Sequence, residues 1–247
     1  MRIVLTLTLG LLAAIGPAFA ADKAPAAAAA SASAPTPLDK YLDNLKTLRA
    51  SFLQTLADGQ GHEIDRSTGT LIVARPGKFS WDIHPQSGAA NKDSGPAHGS
   101  SDRAASEGFP SGDGQLMVSD GRNLWFYDRD LEQVSVKSAA TALTATPASL
   151  LSGDGKITEF FDVSADGKRD DLDWVRVVPR RTDADFREAR LGFRGAGTEL
   201  RRMVLRDKLG QTVTLDFSTS ERNANVTDAE VSFTPPPGAD VIGTAAK

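Results

Sequence analysis

The sequence predicts a mainly β protein with two or three helices, in which ten or eleven strands curl into a barrel or half-barrel. The first observation is a long series of short apolar runs separated by turn residues. The second is the central run from Leu124 to Tyr127, whose apolar side chains fall on both faces of a strand. So many strands do not fit one flat sheet, and both faces of the central run need cover. A helix, or an apolar space enclosed by a curved sheet, would provide that cover.

The first 20 residues have the pattern of a secretory signal peptide. Arg2 precedes an apolar run from Ile3 to Ile15, and Ala18-Phe19-Ala20 forms a small-residue cleavage site. The run is shorter than the ~20 apolar residues that a membrane-spanning helix needs. We therefore expect residues 1–20 to be removed and the mature chain to be exported and soluble. Without Arg2 it carries 27 basic and 32 acidic residues, a poor composition for binding nucleic acid.

Structure is expected to begin after an Ala/Pro/Ser-rich disordered linker at residues 21–37, so that residues 38–247 form a single domain. Thr36 is a suitable N-cap, with Pro37 in the first helical position. Apolar residues then recur at spacings of three and four, which predicts one amphipathic helix. Its stripe consists of Leu38, Tyr41, Leu42, Leu45, Leu48 and Phe52.

The next segment changes to the period of two that is typical of strands. We predict strands from Phe52 to Leu56, from Gly69 to Ala74 and from Phe79 to Ile83. The following segment, residues 86–114, is rich in Gly, Ser, Ala and Asp, and Phe109 is its one large apolar residue. Its length and polarity indicate a disordered insertion in a hairpin.

A meander of three strands follows the insertion. The strands run from Leu116 to Ser119, from Asn123 to Asp128 and from Leu131 to Val136, and Asp120-Gly121 supplies the first turn.

A short helix is predicted after the meander. Thr146 caps it, Pro147 lies in its first turn, Leu150 and Leu151 are its apolar residues, and Gly153 ends it. One or two turns are not stable alone, so this helix must pack on another element and is a natural moving part.

The remainder is predicted as strands with one apolar and one polar face. Val213, Leu215 and Phe217 alternate with polar residues, and Leu191 and Phe193 do the same. The strands run from Ile157 to Val163, Leu172 to Val178, Ala189 to Arg194, Glu199 to Arg206, Gln211 to Thr219 and Val231 to Phe233, with turns that include Asp166-Gly167.

Motifs for catalysis or metal binding are absent from the sequence. His62, His84 and His98 lack metal-ligand spacing, and there is no cysteine. A hydrolase with carboxylates recruited from distant loops stays open, because such a pair leaves no local signature. The arginines between Arg180 and Lys208 fit the solvated face of the strands, or a docking patch for anionic lipid or a partner. We predict no enzyme activity, catalytic residue, metal or cofactor.

Four segments, in order, resemble the LolA-type periplasmic lipoprotein carriers of Gram-negative bacteria. They are Gly69 to Trp81, Val118 to Tyr127 with Leu131-Glu132-Gln133, Thr146-Pro147 before Leu150-Leu151, and Phe233 to Pro236 with Gly238. The resemblance implies an incomplete antiparallel β-barrel of about 11 strands that encloses a hydrophobic cavity under a helical lid. The insertion at 86–114 departs from the family, which has a short turn there.

The resemblance also implies a task in the periplasm. The carrier accepts the acyl chains of a lipoprotein from an inner-membrane ABC-type release complex and passes them to an outer-membrane receptor lipoprotein. We expect a monomer. The alternative is a carrier of another lipid or glycolipid on the same fold.

Arg75 is the predicted lid latch. If Leu71 and Val73 face the cavity, the period of two places Arg75 at the end of the same row, on the rim. The resemblance implies that its guanidinium binds the lid helix, here Pro147, Leu150 and Leu151. The acyl-chain pocket candidates are Leu71, Val73, Phe79, Trp81, Leu124, Trp125, Phe126, Leu191, Phe193, Val213, Leu215 and Phe217.

Overall fold

The computed structural model describes residues 34–86, 114–142, 148–153, 157–182, 184 and 186–246. Pro35–Lys247 form one compact unit. The predicted signal peptide, nearly all of the predicted linker and the interior of the predicted insertion lie outside the described residues. Among the residues described, no helix has the length and apolar character needed to cross a membrane.

Twelve strands in the described residues form one sheet. Its order is β12-β6-β5-β4-β3-β2-β1-β11-β10-β9-β8-β7, and the two end strands are not paired with each other. Neighbouring strands are antiparallel except β12 and β6, which run parallel. The strands are β1 Thr47–Ala57, β2 Glu63–Ala74, β3 Lys78–Pro85, β4 Gln115–Asp120, β5 Asn123–Asp128, β6 Gln133–Ser138, β7 Phe161–Arg169, β8 Leu172–Pro179, β9 Phe186–Arg194, β10 Glu199–Asp207, β11 Thr212–Arg222 and β12 Asp240–Ile242. The predicted mainly β, unclosed architecture is confirmed.

The helical elements are short. They are α1 Pro37–Leu42, α2 Ala139–Ala142, α3 Ser149–Ser152, α4 Ile157–Phe160 and a 3₁₀ turn at Asp228–Val231. The predicted cap of α1 is confirmed, because the Asp39 N–H donates to the Thr36 hydroxyl at 3.2 Å and the Thr36 N–H donates to the Asp39 carboxylate at 2.7 Å.

The prediction that the first helix continues to Phe52 is wrong. The chain leaves the helix at Asp43, which is extended, and Asn44 adopts a left-handed φ of 56°. The residues after it form β1, in which every second side chain is buried. Leu48, Phe52 and Leu56 are four residues apart, and a spacing of four fits one face of a helix as well as one face of a strand.

Three other strand predictions also need correction. Residues 157–160 form α4 rather than the start of a strand, and Asp166-Gly167 lies inside β7 at an irregularity in the pairing. The turn after β7 is instead at Asp170-Asp171, whose φ values are 52° and 59°. The predicted strand from Val231 to Phe233 is wrong, because Val231 ends the 3₁₀ turn and the last strand is β12.

The main core lies on one side of the sheet, which we call the core face. Strands β1–β3 and β8–β11 contribute most of its buried side chains, and α1 and α3 lie over them with Leu38, Tyr41, Leu150 and Leu151. The β9–β10 turn approaches α1 closely, because a Cβ atom on Gly197 would lie 2.5 Å from the Pro37 carbonyl oxygen.

A smaller apolar cluster on the opposite side explains why β5 is apolar on both faces. Val118, Trp125, Val134 and Val136 are buried there. The Trp125 ring packs against Phe233 with ring centroids 5.7 Å apart. The second apolar face of β5 is therefore not covered by a helix and does not line an enclosed cavity. It is the chain after β11, residues 228–246, which we call the C-terminal strap.

Glu230 fastens the strap to β1. Its carboxylate accepts hydrogen bonds from the Thr227 N–H at 2.9 Å and from the Arg49 guanidinium at 2.7 Å. These contacts, that of the Thr227 N–H foremost, lower the pKa of Glu230 from 4.5 to about 2. A carboxyl with a lowered pKa stabilises the folded chain above its unfolded pKa, and that contribution is lost as the pH falls through the folded pKa.

We expect Glu230→Gln to destabilise the protein near neutral pH and to lose this effect in acid. The difference in urea midpoint between the wild type and the variant should shrink between pH values of about 5 and about 2. Glu132→Gln, an exposed substitution in the turn between β5 and β6, controls for the loss of one negative charge. A difference that stays constant over this range would contradict the assignment.

Candidate functional site

The core face of β1 to β5 is the candidate binding surface. Side chains of directly paired residues on antiparallel strands lie on the same side of the sheet. Leu71 pairs with Trp81, which pairs with Met117, which pairs with Phe126. In the next row Val73 pairs with Phe79. Phe79 pairs with Ser119, which in turn pairs with Leu124. The result is a continuous apolar surface across four strands.

Most predicted pocket residues share this face. Leu191 and Leu215 both pair with Met203, which extends the same apolar surface through β9 to β11. Eleven of the twelve candidates lie on the core face: Leu71, Val73, Phe79, Trp81, Leu124, Phe126, Leu191, Phe193, Val213, Leu215 and Phe217. Trp125 does not, because it lies under the C-terminal strap and its indole N–H donates to Asp120 Oδ2 at 2.9 Å.

The short helix α3 packs on this face. Leu150 and Leu151 are only 2% and 1% exposed and belong to the main core. The Gly77 N–H, in the β2–β3 turn, donates to the Ser152 carbonyl oxygen at 2.7 Å. The helix thus rests on the turn that follows Arg75. Pro147 lies outside the described residues.

Arg75 lies directly after β2, at the edge of the core face, as its spacing from Leu71 and Val73 predicted. Its Nε donates to the Gly153 carbonyl oxygen at the end of α3, at 2.7 Å. Its Nη1 donates to the carbonyl oxygens of Leu42 and Leu45, at 3.0 and 3.4 Å. One guanidinium therefore joins the ends of α1 and α3. Sequence reasoning missed the α1 contacts, because a carbonyl acceptor leaves no mark in the sequence.

Sequence reasoning also missed a set of polar residues on the core face. Ser119 is fully buried and its hydroxyl donates to the Gly77 carbonyl oxygen at 2.7 Å. Gln54 and Gln115 are buried as well. Their position in the strands could have revealed them, because the two-residue alternation of buried and exposed side chains places each of them on the buried face.

Charged groups lie mainly on the opposite side of the sheet. Arg176 and Arg190 form ion pairs with Glu188, and Arg202 forms one with Asp216. This part of the arginine cluster is therefore matched by carboxylates on its own face. In the described part of the chain, no three His, Asp or Glu side chains are grouped in a way that could hold a metal ion.

Comparison with known proteins gives one consistent family. The family model "Outer membrane lipoprotein carrier protein LolA" matches residues 43–89 and 109–234. A protein of Dechloromonas aromatica named outer-membrane lipoprotein carrier protein is 36% identical over 206 residues, 83% of this chain and 86% of that protein. Proteins of the same name from Nitrosomonas europaea and Bordetella pertussis are 35% and 34% identical over 205 residues, again 83% of this chain, and 86% and 84% of theirs.

Proposed function

The chain belongs to the LolA family of outer-membrane lipoprotein carrier proteins, and we propose that it carries lipoproteins by enclosing their acyl chains between the core face and α3. The observation that supports this most directly is the apolar surface across β1 to β5 and β9 to β11, which is covered by α1 and by α3, a helix of only four residues. A helix of that length depends on its packing, so it can leave the surface without unfolding the sheet.

The energetics of acyl-chain burial fit such a surface. Each buried methylene contributes about 0.8 kcal/mol, so a chain of about sixteen carbons contributes on the order of 10 kcal/mol. A permanently open surface would bind too tightly to release its cargo. A lid that is held closed opposes binding, because part of the acyl-chain free energy is used to open it.

Arg75 is the proposed latch of the closed state. Its hydrogen bonds to Gly153 and Leu42 join the two helices that cover the core face. Opening the lid breaks charge-assisted hydrogen bonds, each stronger than a bond between neutral groups. The latch thereby lowers the affinity for cargo and favours its transfer to the next protein.

The finer assignments are part of the same proposal. Residues 1–20 act as a signal peptide, residues 21–37 as a linker and residues 86–114 as an insertion in the carrier domain. The mature protein is a soluble periplasmic monomer without catalytic activity. It receives acylated lipoproteins from an inner-membrane ABC-type complex and delivers them to an outer-membrane receptor lipoprotein.

Material that co-purifies with the protein from the periplasm tests the proposal. Mass spectrometry is expected to find acylated lipoprotein in molar proportion to the carrier. Free lipid or glycolipid in its place would favour a lipid carrier on the same fold and overturn the lipoprotein assignment. Turnover that is abolished by a single Asp or Glu substitution would establish a hydrolase instead.

A further inference from the structure

Trp81 buries a hydrogen-bond donor that has no acceptor. The side chain is 8% exposed, lies in the main core and packs edge-on against Phe52, with ring centroids 5.9 Å apart. Its indole Nε1 has no hydrogen-bond partner among the residues that the structure describes. The other two tryptophans differ, since Trp125 donates to Asp120 and Trp174 donates to the Arg169 carbonyl oxygen. A buried polar group without a partner is costly and is rare in folded proteins.

Gln115 buries an acceptor that is also without a partner. The residue is 6% exposed. Its Nε2 donates to Asp128 Oδ2 at 3.3 Å, and its Oε1 has no hydrogen-bond partner in the described part of the chain. Because a carboxylate accepts, the amide nitrogen must face Asp128. The oxygen is therefore the atom that lacks a donor.

The two groups lie on adjacent strands of the same face. Trp81 pairs with Met117, and Ile83 pairs with Gln115, so Trp81 and Gln115 are diagonal neighbours on β3 and β4. Diagonal side chains in an antiparallel pair start about 7–8 Å apart at their backbones and are within reach of each other's long side chains. A donor and an acceptor without partners in the described part of the chain thus lie on neighbouring strands of the core face, two positions apart in register.

We propose that Trp81 Nε1 and Gln115 Oε1 form a subsite for the amide group of an N-acylated ligand; this inference rests on the proposed carrier function. A secondary amide offers one carbonyl acceptor for the indole N–H and one N–H donor for the glutamine oxygen. An ester offers the acceptor alone, and a hydrocarbon offers neither. Because Trp81 and Gln115 are both buried, each of these hydrogen bonds is stronger than it would be in water.

Three ligands of equal chain length separate the contributions of the two hydrogen bonds from that of the hydrocarbon chain: N-butylhexadecanamide, butyl hexadecanoate and heneicosane. Their affinities for the mature protein are measured by displacement of a fluorescent fatty-acid probe. Because the three ligands differ in the free energy of leaving water, each variant is compared with the wild type for the same ligand, and each lost hydrogen bond is expected to weaken that ligand by about five-fold. Trp81→Phe should weaken the amide and the ester by about five-fold more than it weakens heneicosane. Gln115→Met should weaken the amide by about five-fold more than it weakens the other two.

Trp174→Phe is the matched control. It removes an indole N–H on the opposite side of the sheet and should leave all three affinities unchanged. A Trp81→Phe variant that binds the amide and the ester as tightly as the wild type would overturn the subsite, as would one that weakens all three ligands equally. If Trp81→Phe does not fold, an unchanged amide preference in Gln115→Met overturns it. Failure of the wild type to bind any of the three overturns the carrier function itself, and the subsite with it.

Discussion

Arg75→Leu is expected to raise the affinity for an acyl chain by about ten-fold or more and to slow delivery of that chain to an acceptor. The substitution removes the hydrogen bonds from the guanidinium to Gly153 and Leu42. Hydrogen bonds to a charged group contribute about 1.5–3 kcal/mol each, and 1.4 kcal/mol corresponds to a ten-fold change in an equilibrium constant. The closed state therefore loses stability, and less acyl-chain free energy is used to open the lid.

A reconstituted assay that follows a labelled lipoprotein from the carrier to acceptor membranes measures both effects. Arg206→Leu removes an exposed arginine from the opposite side of β10 and controls for the change in charge. Arg75→Lys should give an intermediate result, since an ammonium group lacks the planar fork that reaches two helix ends. Unchanged affinity and unchanged transfer by Arg75→Leu would refute the latch.

Gly69→Ala is expected to lower the melting temperature by about 5–10 °C. A Cβ atom at this position would lie 2.3 Å from the Asp82 carbonyl oxygen and 2.4 Å from the Phe52 ring. Both the neighbouring strand and the ring would have to shift. Overpacking of this kind costs about 1–3 kcal/mol, and each kcal/mol shifts the midpoint of a domain of this size by about 2–4 °C.

Calorimetry of the two proteins tests this, with Gly59→Ala as the control. Gly59 lies in a turn, and the nearest atom to its added Cβ would be 3.9 Å away. The control should melt within about 1–2 °C of the wild type, as surface substitutions usually do. A Gly69→Ala variant as stable as this control would show that Phe52 does not lie over Gly69 in solution.

The strands that the sequence predicted well are those in which alternation and turn residues agree. Phe79, Trp81 and Ile83 on β3 are all buried, and the first turn of the meander lies at Gly121-Arg122, one residue from the predicted Asp120-Gly121. The failure at β1 has a physical cause, because a spacing of four does not distinguish a helix from a strand. The helix ends before Asn44, which adopts a left-handed φ. Asparagine is one of the few residues that adopts that region readily.

The candidate site was predictable where it depends on periodicity. The row from Leu71 through Val73 to the rim at Arg75 follows from the two-residue repeat alone. The side of the sheet that Trp125 occupies does not follow from this repeat. All four residues from Leu124 to Tyr127 are apolar, so either register satisfies the local pattern. The cover over Trp125 comes from residues about a hundred positions later, and such pairing leaves no trace in a local window of sequence.

Three acceptors of Arg75 are main-chain oxygens, at Leu42, Leu45 and Gly153. A main-chain oxygen is present whatever side chain the residue carries. Amino-acid substitutions at these three positions therefore need not weaken the hydrogen bonds from Arg75, provided that the backbone keeps its position. At these three contacts the donor side consequently requires an arginine, whereas the acceptor side requires only that the backbone keeps its position.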